Sequence, residues 1–284
     1  MKHCFDIKAL VAKDEQKKPL PVSSSQSPVF AKDQQRLFRG VLELFNRQHI
    51  PYVVSGAFAL QKHTGIWRDT KDLDLFLTAE DVPAALRALL VAGFETQVCD
   101  PVWLAKAHKG EYFVDLITGM SNAVITVDRS WIERASSFEV LGVPTRVLSA
   151  EEFIASKLFV SRRERFDGAD IAHTIYATAG NFDWDRLLAL AGEHWGTVLW
   201  ALVLFQYVYP AHAGRVPKPV WENLLGRFRA EIEHPRPDAQ FRGSLIDEYM
   251  FAIDVAEWGM ENLVDRYRLL RHNPIPTALG DNAA

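Results

Sequence analysis

The sequence changes character near residue 150, and this change limits the folds open to it. Up to residue 149, short apolar runs of strand length alternate with helical segments and glycine breaks. After that point the apolar residues recur only at helical spacing, as in EEFIASKLFVSRR. Strands and helices have different side-chain periods. The pattern therefore predicts an α/β (α+β) domain over residues 33–149, followed by an all-helical domain over residues 150–272.

The two ends of the chain depart from this pattern. Residues 1–32 include a stretch rich in Lys, Ser, Pro and Gln, and residues 273–284 are mostly small or polar, so we expect both segments to be flexible. The N-terminal sequence MKHCFDIKALVAKDEQ has charges where a signal peptide needs its apolar core, which favours a cytoplasmic protein. The two cysteines, Cys4 and Cys99, have no metal-like spacing and fit a reducing compartment.

The composition limits the classes of partner. A net charge of −4 argues against a surface that coats nucleic acid, although a local basic groove stays possible. The most apolar run, at residues 198–205, is shorter than the ~20 residues that a membrane-spanning helix needs. We therefore expect a core helix there and no membrane partner.

Two aspartates separated by one residue lie at the start of a predicted strand. In Asp72-Leu73-Asp74 the two carboxylates point to one face of the strand, while Leu73 points to the core. Like charges this close repel each other unless a cation lies between them. Mg²⁺ binds carboxylate oxygens and fills its remaining positions with water and phosphate. The pair therefore predicts a Mg²⁺ site.

A third acid, Asp115, is flanked by apolar residues in another predicted strand, residues 112–117. If this strand pairs with the strand of Asp72 and Asp74, the three carboxylates converge. A buried aspartate with nothing to bind would be costly in such surroundings. We therefore predict that Asp72, Asp74 and Asp115 are metal ligands and catalytic residues.

A strand–glycine–helix turn precedes the acids. After Val53 and Val54, the sequence Ser55-Gly56-Ala57 leads into a short helix. Such a turn lets backbone N–H groups approach phosphate at a helix N-terminus, and the Ser55 hydroxyl can add a donor. We predict a phosphate-binding turn here.

These motifs together resemble the nucleotidyltransferase superfamily, which has the polymerase-beta-like fold. Its pattern of a Gly-Gly or Gly-Ser turn, then Asp-x-Asp, then a single Asp on an adjacent strand is matched by Gly56-Ala57, Asp72-Leu73-Asp74 and Asp115. The run from Arg68 to Asp74 is similar to a branch of uncharacterised bacterial nucleotidyltransferases and abortive-infection-type toxins. The resemblance covers roughly residues 35–180. The chain departs from the family at Ala57, which lacks a hydroxyl and disfavours positive φ.

The resemblance extends to the segment EEFIASKLFVSRRERFDGAD. That branch has a Lys here, followed by basic residues and an Asp-x-x-Asp motif, which implies that Lys157 binds the triphosphate. Arg162 and Arg165 are further candidate contacts of phosphate or of an anionic acceptor, and Arg68 either contacts the nucleotide or is a structural partner of the acids. The resemblance also implies that Asp167 and Asp170 orient these groups or act as the acceptor base.

The family implies a mixed sheet with flanking helices and an enzyme of the nucleotidyltransferase class. With Mg²⁺, it would move an NMP from an NTP, ATP among the donors, to an acceptor hydroxyl and release pyrophosphate. Three acceptor classes stay open, namely a small hydroxyl compound, an RNA 3′ end and a protein hydroxyl. The alternative is a non-catalytic regulatory module that binds the nucleotide.

Overall fold

The computed structural model describes residues 30–271 and 274–276. The two ends that we expect to be flexible lie mostly outside these residues. The strands are β1 (Val53–Val54), β2 (Asp72–Phe76), β3 (Glu95–Asp100), β4 (Leu104–Lys109), β5 (Tyr112–Ile117), β6 (Ser136–Val140) and β7 (Val143–Val147). The helices are α1 (Lys32–Arg47), α2 (Gly56–Thr64), α3 (Val82–Val91), α4 (Arg129–Arg134), α5 (Ala150–Ala155), α6 (Gly168–Ala177), α7 (Trp184–Ala191), α8 (Trp195–Val208), α9 (Lys218–Glu233), α10 (Gly243–Ile246), α11 (Ala252–Ala256) and α12 (Leu263–Leu270).

The described strands form one mixed sheet in the order β3-β4-β5-β2-β1-β7-β6. Strand β2 runs parallel to β5, and β1 runs parallel to β7, while the other neighbouring pairs are antiparallel. Helices α1 and α3 cover this sheet. The predicted α/β fold with flanking helices, followed by helices alone, is confirmed.

Helix α1 packs on the sheet through one apolar face. Phe38, Val41, Leu42 and Phe45 recur at the spacing of one helical face, and all four are buried. The sequence predicts this helix from Asp33. The sequence does not predict strand β4, because its alternating residues include two alanines, which are weak markers of a strand. It does not predict the short helix α4 either.

Helix α8 is the core helix that the apolar run predicts. Val198, Leu199, Leu202 and Phe205 are buried in it. The longer stretch Trp184–Val208 meets the length and composition of a membrane-spanning helix, and 39% of its most apolar window is buried within the protein. A short 3₁₀ turn interrupts this stretch at Gly192–His194.

The last described residues return to the edge of the sheet. Arg268 on α12 forms an ion pair with Asp100 at 2.9 Å, and the Ile275 amide donates to the Pro101 carbonyl at 2.7 Å. The Asn122 side chain donates to the Leu245 carbonyl at 3.0 Å. The C-terminal helices therefore support the loops that follow β3 and β5, next to the candidate site.

Candidate active site

Three aspartates meet on neighbouring parallel strands. Asp72 and Asp74 lie two residues apart on β2, so their side chains share a face, and Asp115 on β5 is the direct register partner of Asp74. One carboxylate oxygen from each of the three lies within 4.8 Å of the others. The convergence that the sequence predicts therefore follows from strand alternation together with the β2–β5 pairing.

The proximity of these carboxylates changes their acidity. Burial, followed by the charges of Asp72 and Asp115, raises the pKa of Asp74 to about 7. Burial also raises the pKa of Asp115, although the Lys106 ammonium opposes this rise. Near neutral pH, the three carboxylates are therefore not all fully ionised unless a cation balances their charge.

Lys106 is a site residue that the sequence did not single out. It lies opposite Asp115 across the β4–β5 ladder, and its Nζ is 2.9 Å from Oδ1 and 3.0 Å from Oδ2 of that residue. The ammonium also lies 4.4 Å from the centre of the Phe113 ring. The signal in the sequence is the alternation of LAKAHK in β4, which is typical of a strand that pairs with β5.

The donor set suits a hard divalent cation. Asp115 Oδ1 is buried, and no described donor forms a hydrogen bond with it. Lys106 Nζ lies 2.9 Å away, but not in the geometry of a hydrogen bond. Carboxylate oxygens are the ligands that such cations prefer. An oxygen of this kind, in a group of three close carboxylates, fits a bound metal ion.

Gly56 lies directly against the metal-ligand candidates. It has φ +56°, and a Cβ built on it would lie 1.9 Å from Asp74 Oδ2. The neighbouring Ser55 amide donates to the Asp74 carbonyl at 3.0 Å, which ties the turn to β2. Ala57 is not among the described non-glycine residues with positive φ, so the left-handed conformation falls on the glycine. The departure from the family at Ala57 therefore causes no backbone strain.

The turn and the acids open into one cavity of about 670 Å³. The structure brings all of the predicted site residues to its wall. They are Ser55, Gly56, Ala57, Arg68, Asp72, Asp74, Asp115, Lys157, Arg162, Arg165, Asp167 and Asp170. Other parts of the wall are apolar, and Trp103, Met120 and Phe159 belong to them. A cavity of this size and mixed lining is typical of small-molecule sites.

Lys157 is held by two acids. Its Nζ lies 2.7 Å from Asp167 and 3.0 Å from Asp170, and all three side chains are almost fully buried. Burial opposes ionisation of Asp167, but the hydrogen bonds from Arg165 and Lys157 outweigh it and hold its pKa below the usual range. Lys157 is therefore the central cation of a buried ion cluster.

Two arginines extend this cluster toward solvent. Arg165 makes a two-point contact with Asp167, at 3.0 Å from Nε and 2.9 Å from Nη2. Arg68, on the loop before β2, pairs with Asp170. The side chains of Arg68 and Arg165 are 56% and 68% exposed, so both keep donors available within the cavity. Arg162 donates to the Ser121 hydroxyl, which also lines the cavity.

Comparison with solved structures found weak similarity to several nucleotidyltransferases. The antibiotic-resistance factor ANT(2'')-Ia is 17% identical, with a TM-score of 0.40 over 64% of this chain and 96% of that chain. The lincomycin-bound lincosamide antibiotic adenylyltransferase LnuA is 16% identical, with a TM-score of 0.37 over 52% and 98%. An antigenic nucleotidyltransferase-like protein from Paracoccidioides brasiliensis is 15% identical, with a TM-score of 0.42 over 67% and 96%. Comparison with curated protein sequences gave no match.

The family profile described as "Uncharacterised nucleotidyltransferase" matches residues 12–205. This range is more than half of the 284 residues and includes the three converging aspartates, the Gly56 turn and the ion cluster around Lys157. The chain belongs to this uncharacterised nucleotidyltransferase family.

Proposed function

We propose that this protein transfers an NMP from an NTP to an acceptor hydroxyl in a Mg²⁺-dependent reaction that releases pyrophosphate. One observation carries the proposal. Asp72, Asp74 and Asp115 converge in the cavity into which the Gly56 turn opens. The sequence predicts each of these parts separately. The β2–β5 register brings Asp115 beside Asp74, and the Ser55 amide ties the turn to Asp74.

Asp72, Asp74 and Asp115 would hold the metal ion. Bound there, Mg²⁺ would supply positive charge at the phosphates of the NTP and at the leaving pyrophosphate. Its charge would also favour the ionised form of Asp74, whose raised pKa reflects burial and the two neighbouring acids.

The protein's own donors would position the triphosphate. The start of α2 presents backbone N–H groups at Gly56 and Ala57, where the positive end of the helix dipole favours phosphate. Arg68 and Arg165 each have one side paired with a carboxylate and the rest of the guanidinium exposed, so they can bind phosphate oxygens without leaving their partners. Lys157 would act mainly through these two residues, by holding Asp167 and Asp170 in place.

The transfer step is an in-line substitution at the α-phosphorus. The acceptor oxygen forms a bond to this phosphorus, the bond from phosphorus to the pyrophosphate oxygen breaks, and the acceptor proton moves to a carboxylate. We assign that carboxylate to Asp115, which lies on β5 apart from the Asp72 and Asp74 pair on β2 and whose pKa is raised by burial. Lys106 would keep this side chain in place.

A cavity of about 670 Å³ has the size of a small-molecule site, which favours a small hydroxyl compound among the three acceptor classes. Arg162 and Arg165 line the same cavity and could bind a phosphate backbone, so an RNA 3′ end is the second candidate acceptor. A protein hydroxyl is the third. The regulatory alternative had its support in Ala57, and that residue has no unusual backbone conformation.

The test is transfer of label from each of the four α-labelled NTPs, with Mg²⁺, to total RNA, total protein and a small-molecule extract in parallel. We expect label in one fraction, dependent on Mg²⁺ and absent with the Asp72→Ala/Asp74→Ala variant. Retained transfer by this variant, folded as judged by circular dichroism, would contradict the proposal. Metal-dependent NTP binding without label in any fraction would favour the regulatory alternative.

A further inference from the structure

The C-terminal half of α9 is exposed along its whole length. Val220 and Leu224 are the buried residues of this 16-residue helix, and every residue from 225 to 233 is exposed. Short helices are only marginally stable in water without packing partners. Within residues 30–271 and 274–276, nothing covers this end of the helix, so its apolar side chains are available to a partner.

The exposed half carries an apolar stripe. Trp221, Leu225, Phe228 and Ile232 follow one another at spacings of four, three and four residues, which places them on one helical face. Trp221 is partly buried, while Leu225, Phe228 and Ile232 are 49%, 48% and 63% exposed. This stripe has the spacing of a coiled-coil seam.

Charged residues beside the stripe form a self-complementary pattern. Glu222 and Arg229 lie seven residues apart on the same edge of the stripe, on the side away from Val220 and Leu224. Each forms an exposed ion pair within its own helix, with Lys218 at 3.4 Å and with Glu233 at 2.7 Å. Because residues four apart lie on the same side of a helix, this edge carries two acidic and two basic residues.

We propose that this stripe is the interface between two copies of the chain, with the two α9 helices packed antiparallel about a twofold axis. In this arrangement Leu225 faces Phe228 of the second copy, and Trp221 faces Ile232. The same axis brings Glu222 beside Arg229 of the second copy, twice in each dimer. A parallel pairing would not bring these two positions together.

The charge of the exposed half favours a second copy over a lipid or nucleic-acid partner. Residues 222–233 contain Arg227 and Arg229 against Glu222, Glu231 and Glu233, so the face is close to neutral. An anionic membrane surface or a phosphate backbone selects a clear excess of Lys and Arg. A nearly neutral face with both signs in a self-matching order suits an isologous contact.

The test is the molar mass of the full chain, measured by sedimentation velocity over a range of concentrations. We expect a reversible dimer of twice 32.1 kDa. Glu222→Arg places like charges opposite each other and should raise the dimer dissociation constant by about tenfold or more. The double variant Glu222→Arg/Arg229→Glu restores opposite charges and should recover the dimer. Phe228→Lys should give a monomer.

Ala230→Glu is the matched control, because Ala230 is exposed on the side of α9 away from the stripe. It should leave the dimer unchanged, and circular dichroism should show the same helix content in every variant. A monomeric parent chain at all concentrations would overturn the proposal, as would a double variant that stays dissociated. Flotation of a monomeric parent chain with lipid vesicles, lost in Phe228→Lys, would assign the stripe to a membrane surface instead.

Discussion

Asp74 occupies the space that a side chain at Gly56 would fill. Its Oδ2 lies 1.9 Å from the position of a Cβ on that glycine, and the glycine has φ +56°. The turn before α2 and the metal-ligand candidates on β2 are thus in direct contact, so the groups that would bind phosphate and metal are built as one unit.

Gly56→Ala should therefore damage the site more than the fold. The new methyl group displaces the Asp74 carboxylate, and the left-handed conformation adds a strain of about 1–3 kcal/mol. We expect metal binding and NMP transfer to be lost, with a moderately lower melting temperature by circular dichroism. Gly40→Ala is the control, because a Cβ there meets nothing within 4 Å in the middle of α1. Equal activity in the two variants would contradict this relationship.

The acidity of Asp74 predicts how metal binding depends on pH. A pKa of about 7 means that Asp74 is protonated at pH 6 and must lose this proton to bind a cation. The affinity for Mn²⁺, measured by titration calorimetry, should fall by up to roughly tenfold per pH unit below 7 and level off above it. A flat profile between pH 6 and pH 8 would contradict the assignment.

The same pKa has a consequence for the stability of the metal-free protein. Folded Asp74 holds its proton up to about pH 7, because its pKa is raised, whereas the unfolded chain releases it at the ordinary aspartate pKa of 3.8. Between these values the folded state binds more protons, so stability is highest at the acidic end and is lost as pH rises to about 7. Thermal unfolding of the protein and of Asp74→Asn should show this loss only in the parent chain.

Substitutions at Lys157 and at the two neighbouring arginines should have different effects on stability and on nucleotide binding. Lys157→Met leaves two buried carboxylates without their central cation and should cost roughly 3 kcal/mol of folding free energy. Arg68→Ala and Arg165→Ala remove mostly exposed side chains, so they should change stability little but weaken NTP binding. Denaturant unfolding and nucleotide titration distinguish the two effects. A stable Lys157→Met variant with weak NTP binding would instead make Lys157 the direct phosphate ligand.

Lys106 should matter most when the metal is absent. Lys106→Met leaves the Asp115 carboxylate without its cation, so the metal-free protein should melt at a lower temperature. Added Mn²⁺ should recover much of this loss, because a metal ion can balance the same carboxylate. Lys106→Arg keeps a charge at this position and should behave more like the parent chain. A loss that is unaffected by Mn²⁺ would show that Lys106 has only a packing role.

Much of the site could be predicted because it depends on short-range patterns. The alternation of Asp72, Leu73 and Asp74 determines which side chains share a face, and a glycine break before a helix marks the turn. The convergence of the three acids also requires that β2 pairs with β5, and the register Asp74–Asp115 confirms this pairing.

What could not be predicted depends on long-range placement. Lys106 reaches Asp115 only because β4 pairs beside β5, and the weak strand pattern of β4 concealed this. The Lys157 cluster requires the loop before α6 to fold back, so that Asp167 and Asp170 meet a residue ten or more positions earlier. Similarly, the support that α12 gives to β3 joins residues 168 positions apart. Patterns within a short window carry no information on such contacts.

If Asp72, Asp74 and Asp115 form one metal site, each of them contributes to the affinity for a divalent cation. Mn²⁺ titration monitored by electron paramagnetic resonance measures this affinity without knowledge of the acceptor. Asp69→Asn is the matched control, because Asp69 lines the same cavity but lies outside the three-acid group. We expect Asp74→Asn to weaken Mn²⁺ binding at pH 8 by at least about tenfold, and Asp69→Asn to bind like the parent chain. Equal binding by the parent chain and a folded Asp74→Asn variant would contradict it.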